Sequence, residues 1–215
     1  MLEVRRIFAS VNDAAEVATL LDSAGVEYND IACVNWKEEY PYAPQAKFRL
    51  AHIGESLLVD YCVTEESVAA VATHDNGRVW EDSCCELFIE PEAGGPYYNI
   101  ECNCAGMLLI ACGAEREGRE PASPAILSGV KRWSSLGREP FDERIGRVTW
   151  QISLIVPATT LFKHHIAFFS GLTVRGNAYK CGDLLQRPHF LSWKPIPIPA
   201  PDFHRPDFFA PIAMQ

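Results

Sequence analysis

Between Arg147 and Pro157 the chain reads RVTWQISLIVP, in which Val148, Trp150, Ile152, Leu154 and Val156 alternate with Thr149, Gln151 and Ser153. Successive side chains of a strand point to opposite faces, so this spacing commits the segment to a strand with one wide apolar face. Pro157 stops the ladder because it has no N–H to donate. Such a face cannot stay in water and demands a second layer. The run SLLVDYCV offers the same pattern, with Leu57, Val59, Tyr61 and Val63 on one face and Asp60 and Cys62 on the other. Further β-rich runs fall at about 47–52, 83–90, 97–104, 107–113, 127–134, 166–175 and 189–193, separated by Gly, Pro and Asn signals such as PEAGGP and DNG.

Only one stretch reads as a helix. Asn12 is placed to cap residues 13–23, in which Val17, Leu20 and Leu21 share a face, and Gly25 follows the end. Many short strands with one helix predict an all-β fold, a sandwich or barrel. A length of 215 residues suits one such domain. KPIPIPAPDFHRPDF, near the C-terminus, holds too many prolines for a central strand and must wrap the surface. The segment REPASPA reads as a polar loop.

With 48% apolar and 22% charged residues the chain has material for a core, which excludes disorder. The 19 basic residues are outnumbered by 28 acidic ones, a net charge of −9, so the chain lacks the basic footprint of a nucleic-acid binder. No long uncharged apolar run and no export signal is visible, so neither a membrane span nor secretion is expected. The location expected of the sequence as it stands is cytoplasmic, or extracytoplasmic if a segment precedes Met1. The eight cysteines show no CxxC spacing and are expected to be free, buried thiols.

The common catalytic signatures are missing: no GxSxG elbow, HExxH helix, Walker loop, GxGxxG turn or kinase set. Glu86, Glu90 and Glu101 sit on neighbouring expected strands, so a pair of them could reach the separation of about 5–9.5 Å used by glycosidases. Solvent-facing carboxylates are the commoner explanation. Cys84, Cys85, Cys102 and Cys104 do not make a zinc cage, because adjacent strand residues face opposite ways. The six histidines include no helical i, i+4 pair and none is assigned to a metal. Trp80 stands out because it falls in the polar loop HDNGRVWEDS, where packing does not require the largest apolar side chain; it is either an exposed stacking platform or a ring folded over the sandwich end. Trp36, Trp133, Trp150 and Trp193 read as structural, and Trp150 as core.

The segment VWEDSCCELFIEP, residues 79–91, resembles the W-x-x-D-S-x-E-x-F-I-D/E signature of carbohydrate-binding module family 9, through Trp80, Asp82 or Ser83, Glu86, Phe88, Ile89 and Glu90, with one extra residue between serine and glutamate. KFRLAHIGESLLVDYCVTEE is similar to the family's early hairpin, and PDFHRPDFFAPI to its closing aromatic segment. The resemblance covers roughly residues 45–212 and leaves 1–44 as a helix and lead-in. It implies a jelly-roll-like antiparallel β-sandwich that binds a mono- or oligosaccharide without catalysis, gripping the sugar, at a chain end in characterised modules, between two aromatic rings. Such modules are attached to enzymes that degrade plant polysaccharides. On this reading Trp80 is one ring and Phe203 or His204 the other, where characterised modules carry a second stacking aromatic. Polar contacts would come from Glu101 and from Arg175 and Asn177 in VRGNAYKCGD, a segment that also reads as a turn. The resemblance further implies a structural calcium, for which Asp75, Asp82 and Glu90 are the candidate ligands. Three rivals remain: a glycoside-acting enzyme using Glu86 and Glu101, a DOMON-like haem protein with Met107 or a histidine as axial ligand, and a sandwich without a ligand site.

Overall fold

In the computed structural model, which describes residues 1–215, two sheets stack into a β-sandwich. In chain order the strands are β1 (Leu2–Val4), β2 (Asn29–Asp30), β3 (Cys33–Val34), β4 (Gln45–His52), β5 (Ser56–Ala70), β6 (Cys84–Glu90), β7 (Tyr97–Asn103), β8 (Leu108–Gly113), β9 (Glu120–Pro121), β10 (Lys131–Ser134), β11 (Phe141–Pro157), β12 (Thr173–Cys181), β13 (Phe190–Ser192) and β14 (Ala210–Met214). The smaller sheet runs β10-β11-β5-β4-β2. The larger runs β1-β14-β12-β6-β7-β8-β9, with β13 joined to β12 and β3 to β13. All ladders are antiparallel except β1 against β14.

The alternation that predicted the sandwich also orients it. Trp150, Ile152, Leu154 and Val156 of β11 meet Leu57, Val59, Tyr61 and Val63 of β5 in one apolar cluster with Leu87 and Ile89 of β6 and Tyr98 and Ile100 of β7. Trp150 is fully buried, and its indole N–H donates to Glu65 Oε1 at 2.6 Å, so the polar edge of the ring is satisfied as burial requires. Across the back of the smaller sheet lies α1 (Val17–Ser23), which puts Val17 and Leu21 against Ala51, Leu58 and Ile155.

Several expectations about the elements need correction. Asp13 rather than Asn12 caps the first helical turn, accepting from Ala15 N at 3.0 Å, while the Asn12 carbonyl accepts from Lys131 Nζ. Part of the run expected as a strand at 127–134 is a second helix, α2 (Pro124–Gly129), because Ser123 caps it and Pro124 pre-sets its first turn. Residues 1–44 are more than a lead-in, since they supply β1 and β3 to the larger sheet and β2 to the smaller. VRGNAYKC is neither a turn nor a loop. It is β12, a strand inside the larger sheet, where the backbone at Gly176 approaches β6 so closely that a Cβ would stand 2.4 Å from the Phe88 carbonyl oxygen.

Candidate functional site

The outer face of the larger sheet is not left to solvent. Period two places Cys84, Glu86 and Phe88 of β6, Tyr97, Asn99 and Glu101 of β7, and Tyr179 and Cys181 of β12 on that face. The proline-rich segment 194–209 straps over it, burying Ile196, Phe203 and Phe209 against Phe88, Tyr97 and Tyr179. A cleft of about 880 Å³ remains uncovered beside the strap, within the roughly 300–1,000 Å³ of small-molecule sites.

Glu86 and Glu101 form the cleft floor and are direct cross-strand partners. Both are nearly inaccessible, at 2% and 4% exposure. Burial, then the nearby Glu101 carboxylate, hold Glu86 well above the usual carboxylate range, against the favourable thiol hydrogen bond from Cys181 at 3.0 Å. Burial pushes Glu101 up to about 7, with Asn99 and Arg119 opposing. The Arg119 Nε donates to Asn99 Oδ1 at 3.0 Å, and Asn99 Nδ2 donates to Glu101 Oε1 at 2.8 Å. Arg119 itself is pinned by the carbonyls of Tyr97 and Glu115 and lies over the Tyr97 ring. The relay fixes Glu101 in place yet leaves its second oxygen, Oε2, buried with no hydrogen-bond partner. An orphaned acceptor of this kind costs about 1–3 kcal/mol, and a ligand hydroxyl would remove that cost.

The walls are aromatic and charged. Trp80 rides on the 3₁₀ turn Val79–Glu81, which is tied to the sheet by the Trp80 carbonyl accepting from Asp183 N. Half-buried, stacked on no other ring and with the Arg78 guanidinium 6.0 Å from its centroid, it lines the cleft. From the strap come Phe203 and His204. Phe203 lies flat on Tyr179, with ring centroids 4.2 Å apart and planes 8° apart, so one face of it is already covered. The His204 Nδ1 lies 2.9 Å from the Tyr97 hydroxyl, and burial, then Arg119 and Arg116, depress its pKa to about 3, which keeps the imidazole neutral. Asp183 is raised to about 6 by burial and by Glu81.

A model of carbohydrate-binding family 9 matches residues 15–214. The chain belongs to carbohydrate-binding family 9. Among solved structures it is similar to a candidate carbohydrate-binding protein from Bacteroides uniformis ATCC 8492, at 48% identity and TM-score 0.97 over 100% of this chain and 98% of that one. Two solved structures of carbohydrate-binding module family 9 from Caldicellulosiruptor kristjanssonii share the fold at much lower identity. The module solved with glucose is 10% identical, with TM-score 0.59 over 99% of this chain and 95% of that one. The module solved with cellotriose is 12% identical, with TM-score 0.57 over 100% and 93%. No curated protein sequence matches the chain.

Of the residues expected at a family 9 sugar site, Trp80, Phe203, His204 and Glu101 come together at the cleft. Arg175 and Asn177 do not. Arg175 pairs with Glu90 at 2.7 Å and donates to the carbonyls of Pro206 and Phe209, anchoring the end of the strap. Asn177 is buried and spends its amide on the backbone, accepting from Ala178 N and Lys194 N and donating to Lys194 O. Both point to the outer face, as the alternation requires, but beneath the strap rather than beside it.

The residues proposed for calcium do not form an ion cage. Asp75 makes a bidentate pair with Arg132 and accepts from Leu108 N, Asp82 accepts from Val71 N, Ala72 N and Asn103 Nδ2, and Glu90 is held by Arg175 and Gly94 N. Each has a separate task in the backbone or against an arginine.

The alternation within YYNIECN could have shown that Asn99 shares a face with Glu101. Arg119 lay beyond reach, because it arrives from a loop after β8 and nothing local ties it to β7. Tyr40 and Asp183, also at the cleft, were equally unmarked.

Proposed function

We propose that the cleft binds a saccharide without transforming it, and that the ligand is a glucose-containing mono- or oligosaccharide. The observation carrying this reading is Glu101, buried on the cleft floor, oriented by Asn99 and Arg119, and left with an unpartnered oxygen. Pyranose hydroxyls are donors of the required kind, and the C–H faces of the ring suit the indole of Trp80 at the cleft wall. His204, neutral, offers a fixed polar group at the opposite end of the aromatic wall. Family 9 modules of the same fold hold glucose and cellotriose, which supports this chemical class.

Calorimetric titration with glucose and with cellotriose tests the proposal. Binding by at least one is expected, with about tenfold or greater loss in Glu101→Gln above pH 8, where Glu101, raised to about 7, is ionised and a hydrogen bond to the charged group is worth about 1.5–3 kcal/mol. No heat from either sugar overturns the reading. Aryl glycosides are expected to stay intact on prolonged incubation, and turnover abolished by Glu86→Gln would make the chain an enzyme instead.

A further inference from the structure

At the end of the cleft floor nearest Trp80, a second set of side chains converges. Cys84 and Cys181 are direct partners across the β6–β12 ladder, so their side chains leave the sheet together on its outer face. Glu86, two residues along β6, shares that face. The two sulfurs and a Glu86 carboxylate oxygen all lie within 4.8 Å of one another, the one place in the chain where three histidine, cysteine or acidic side chains come so close. Glu86 and Cys181 line the cleft, with Cys84 behind them.

The other buried cysteines behave as small apolar residues. Cys85, Cys102, Cys104 and Cys112 point into the sandwich among aliphatic side chains. Cys84 and Cys181 differ in being joined to a carboxylate at a cleft that opens to solvent, and the fold makes little use of their thiols. Cys181 donates to Glu86 Oε1, with the Trp80 carbonyl 3.5 Å away, and Cys84 reaches only the neighbouring Cys85 carbonyl at 3.7 Å.

We propose that Cys84, Cys181 and Glu86 bind a thiophilic divalent cation of the zinc type, with its fourth coordination position open to the cleft. Two thiolates and one carboxylate form a zinc ligand set, and three protein ligands leave the open position of a non-structural site. Metal–ligand bonds of about 2.3 Å to sulfur and 2.0–2.2 Å to oxygen place tetrahedral ligand atoms roughly 3.6–3.8 Å apart. The present spacing reaches that with small side-chain shifts, the Cys181–Glu86 contact opening by about half an ångström. The balance is simple: the ion takes the electron pairs of two sulfurs and one carboxylate oxygen, and two thiol protons, with that of Glu86 where its carboxyl is protonated, pass to solvent. The proposal does not depend on saccharide binding, although Glu86 would belong to both sites.

Cobalt(II) is the probe, added to protein kept reduced with a phosphine. One ion per chain, thiolate-to-cobalt charge-transfer absorption, two to three protons released per ion (two from the thiols and up to one from Glu86), and displacement by zinc are expected. Cys84→Ala and Cys181→Ala should each abolish the absorption, whereas Cys33→Ala/Cys62→Ala, at the half-buried cysteines, should keep it. Wild-type protein without charge-transfer absorption overturns the proposal, as does a band that survives Cys181→Ala or vanishes in the Cys33/Cys62 control. Should either cluster variant unfold, the wild-type stoichiometry decides: fewer than two protons released per ion contradicts thiolate ligation.

Discussion

β6 is buried along its whole length, yet its two faces are buried for different reasons. Inward, Cys85, Leu87 and Ile89 join the apolar interior between the sheets. Outward, Cys84, Glu86 and Phe88 lie under a strap and beside a cleft. Both faces exclude water, and each holds an unpartnered polar atom, the Tyr61 hydroxyl inside and Glu101 Oε2 outside, but only the outer face encloses two carboxylates with no direct ion pair, whereas the inner Glu65 is paired with Lys180. Burial by itself therefore does not distinguish core from site. What distinguishes them is that the outer carboxylates lack a cation of their own and border a cleft.

The comparison is broken most forcefully from the inside. Leu87→Ala is expected to cost about 2–5 kcal/mol of folding stability by opening a cavity between the sheets, read as a lower urea midpoint with an unchanged m-value. A loss below 1 kcal/mol would mean that the inner face is not closely packed. Next comes Asn177→Ala, expected to cost about 1–3 kcal/mol, because it strands the backbone N–H groups of Ala178 and Lys194. Saccharide affinity should be unchanged in those molecules that remain folded. A selective loss of affinity would return Asn177 to the ligand.

The outer face should also show itself in acid. Glu101 binds its proton more tightly in the folded chain, at about 7, than an unfolded glutamate does at about 4.3. Between those values the folded state holds more protons, so stability falls as pH rises through the window. Glu101→Gln should flatten that fall and raise the melting temperature at pH 8 without raising it at pH 4. Equal shifts at both values would remove the titration of Glu101 as the cause. The smallest effect concerns the thiols. All eight cysteines are free, six of them buried, so titration should count eight after denaturation and, before it, ready reaction at no more than Cys33 and Cys62, since burial raises the buried thiols, Cys84 to about 12.

The strands that obeyed strict alternation, β5 and β11, were legible from sequence, and with them the sandwich. β12 was not, because Gly176-Asn177 mimics a turn and Lys180 places a charge on the inward face. Its ammonium is accommodated by the neighbouring Cys181 carbonyl and by His189, both at 2.7 Å, and by Glu65 at 2.9 Å, which comes from the opposite sheet. Trp80 and Glu101 were legible at the cleft through the family resemblance and the period of β7. The assignments of Arg175 and Asn177 failed because sequence places a residue on a face but does not reveal which part of that face a sixteen-residue strap will cover. Local sequence showed the strap's existence, through its prolines, and not its path.

The central claim is that the outer-face cleft, with Trp80 in its aromatic wall, is a saccharide site and not a patch of covered core. Calorimetry with cellotriose on Trp80→Ala, alongside its melting curve, tests it most directly. The account predicts a loss of roughly 2 kcal/mol in binding, more than tenfold in affinity, with the melting temperature nearly unchanged. Undiminished affinity in a folded variant, or collapse of the fold by the roughly 3–5 kcal/mol typical of a core tryptophan, would contradict it.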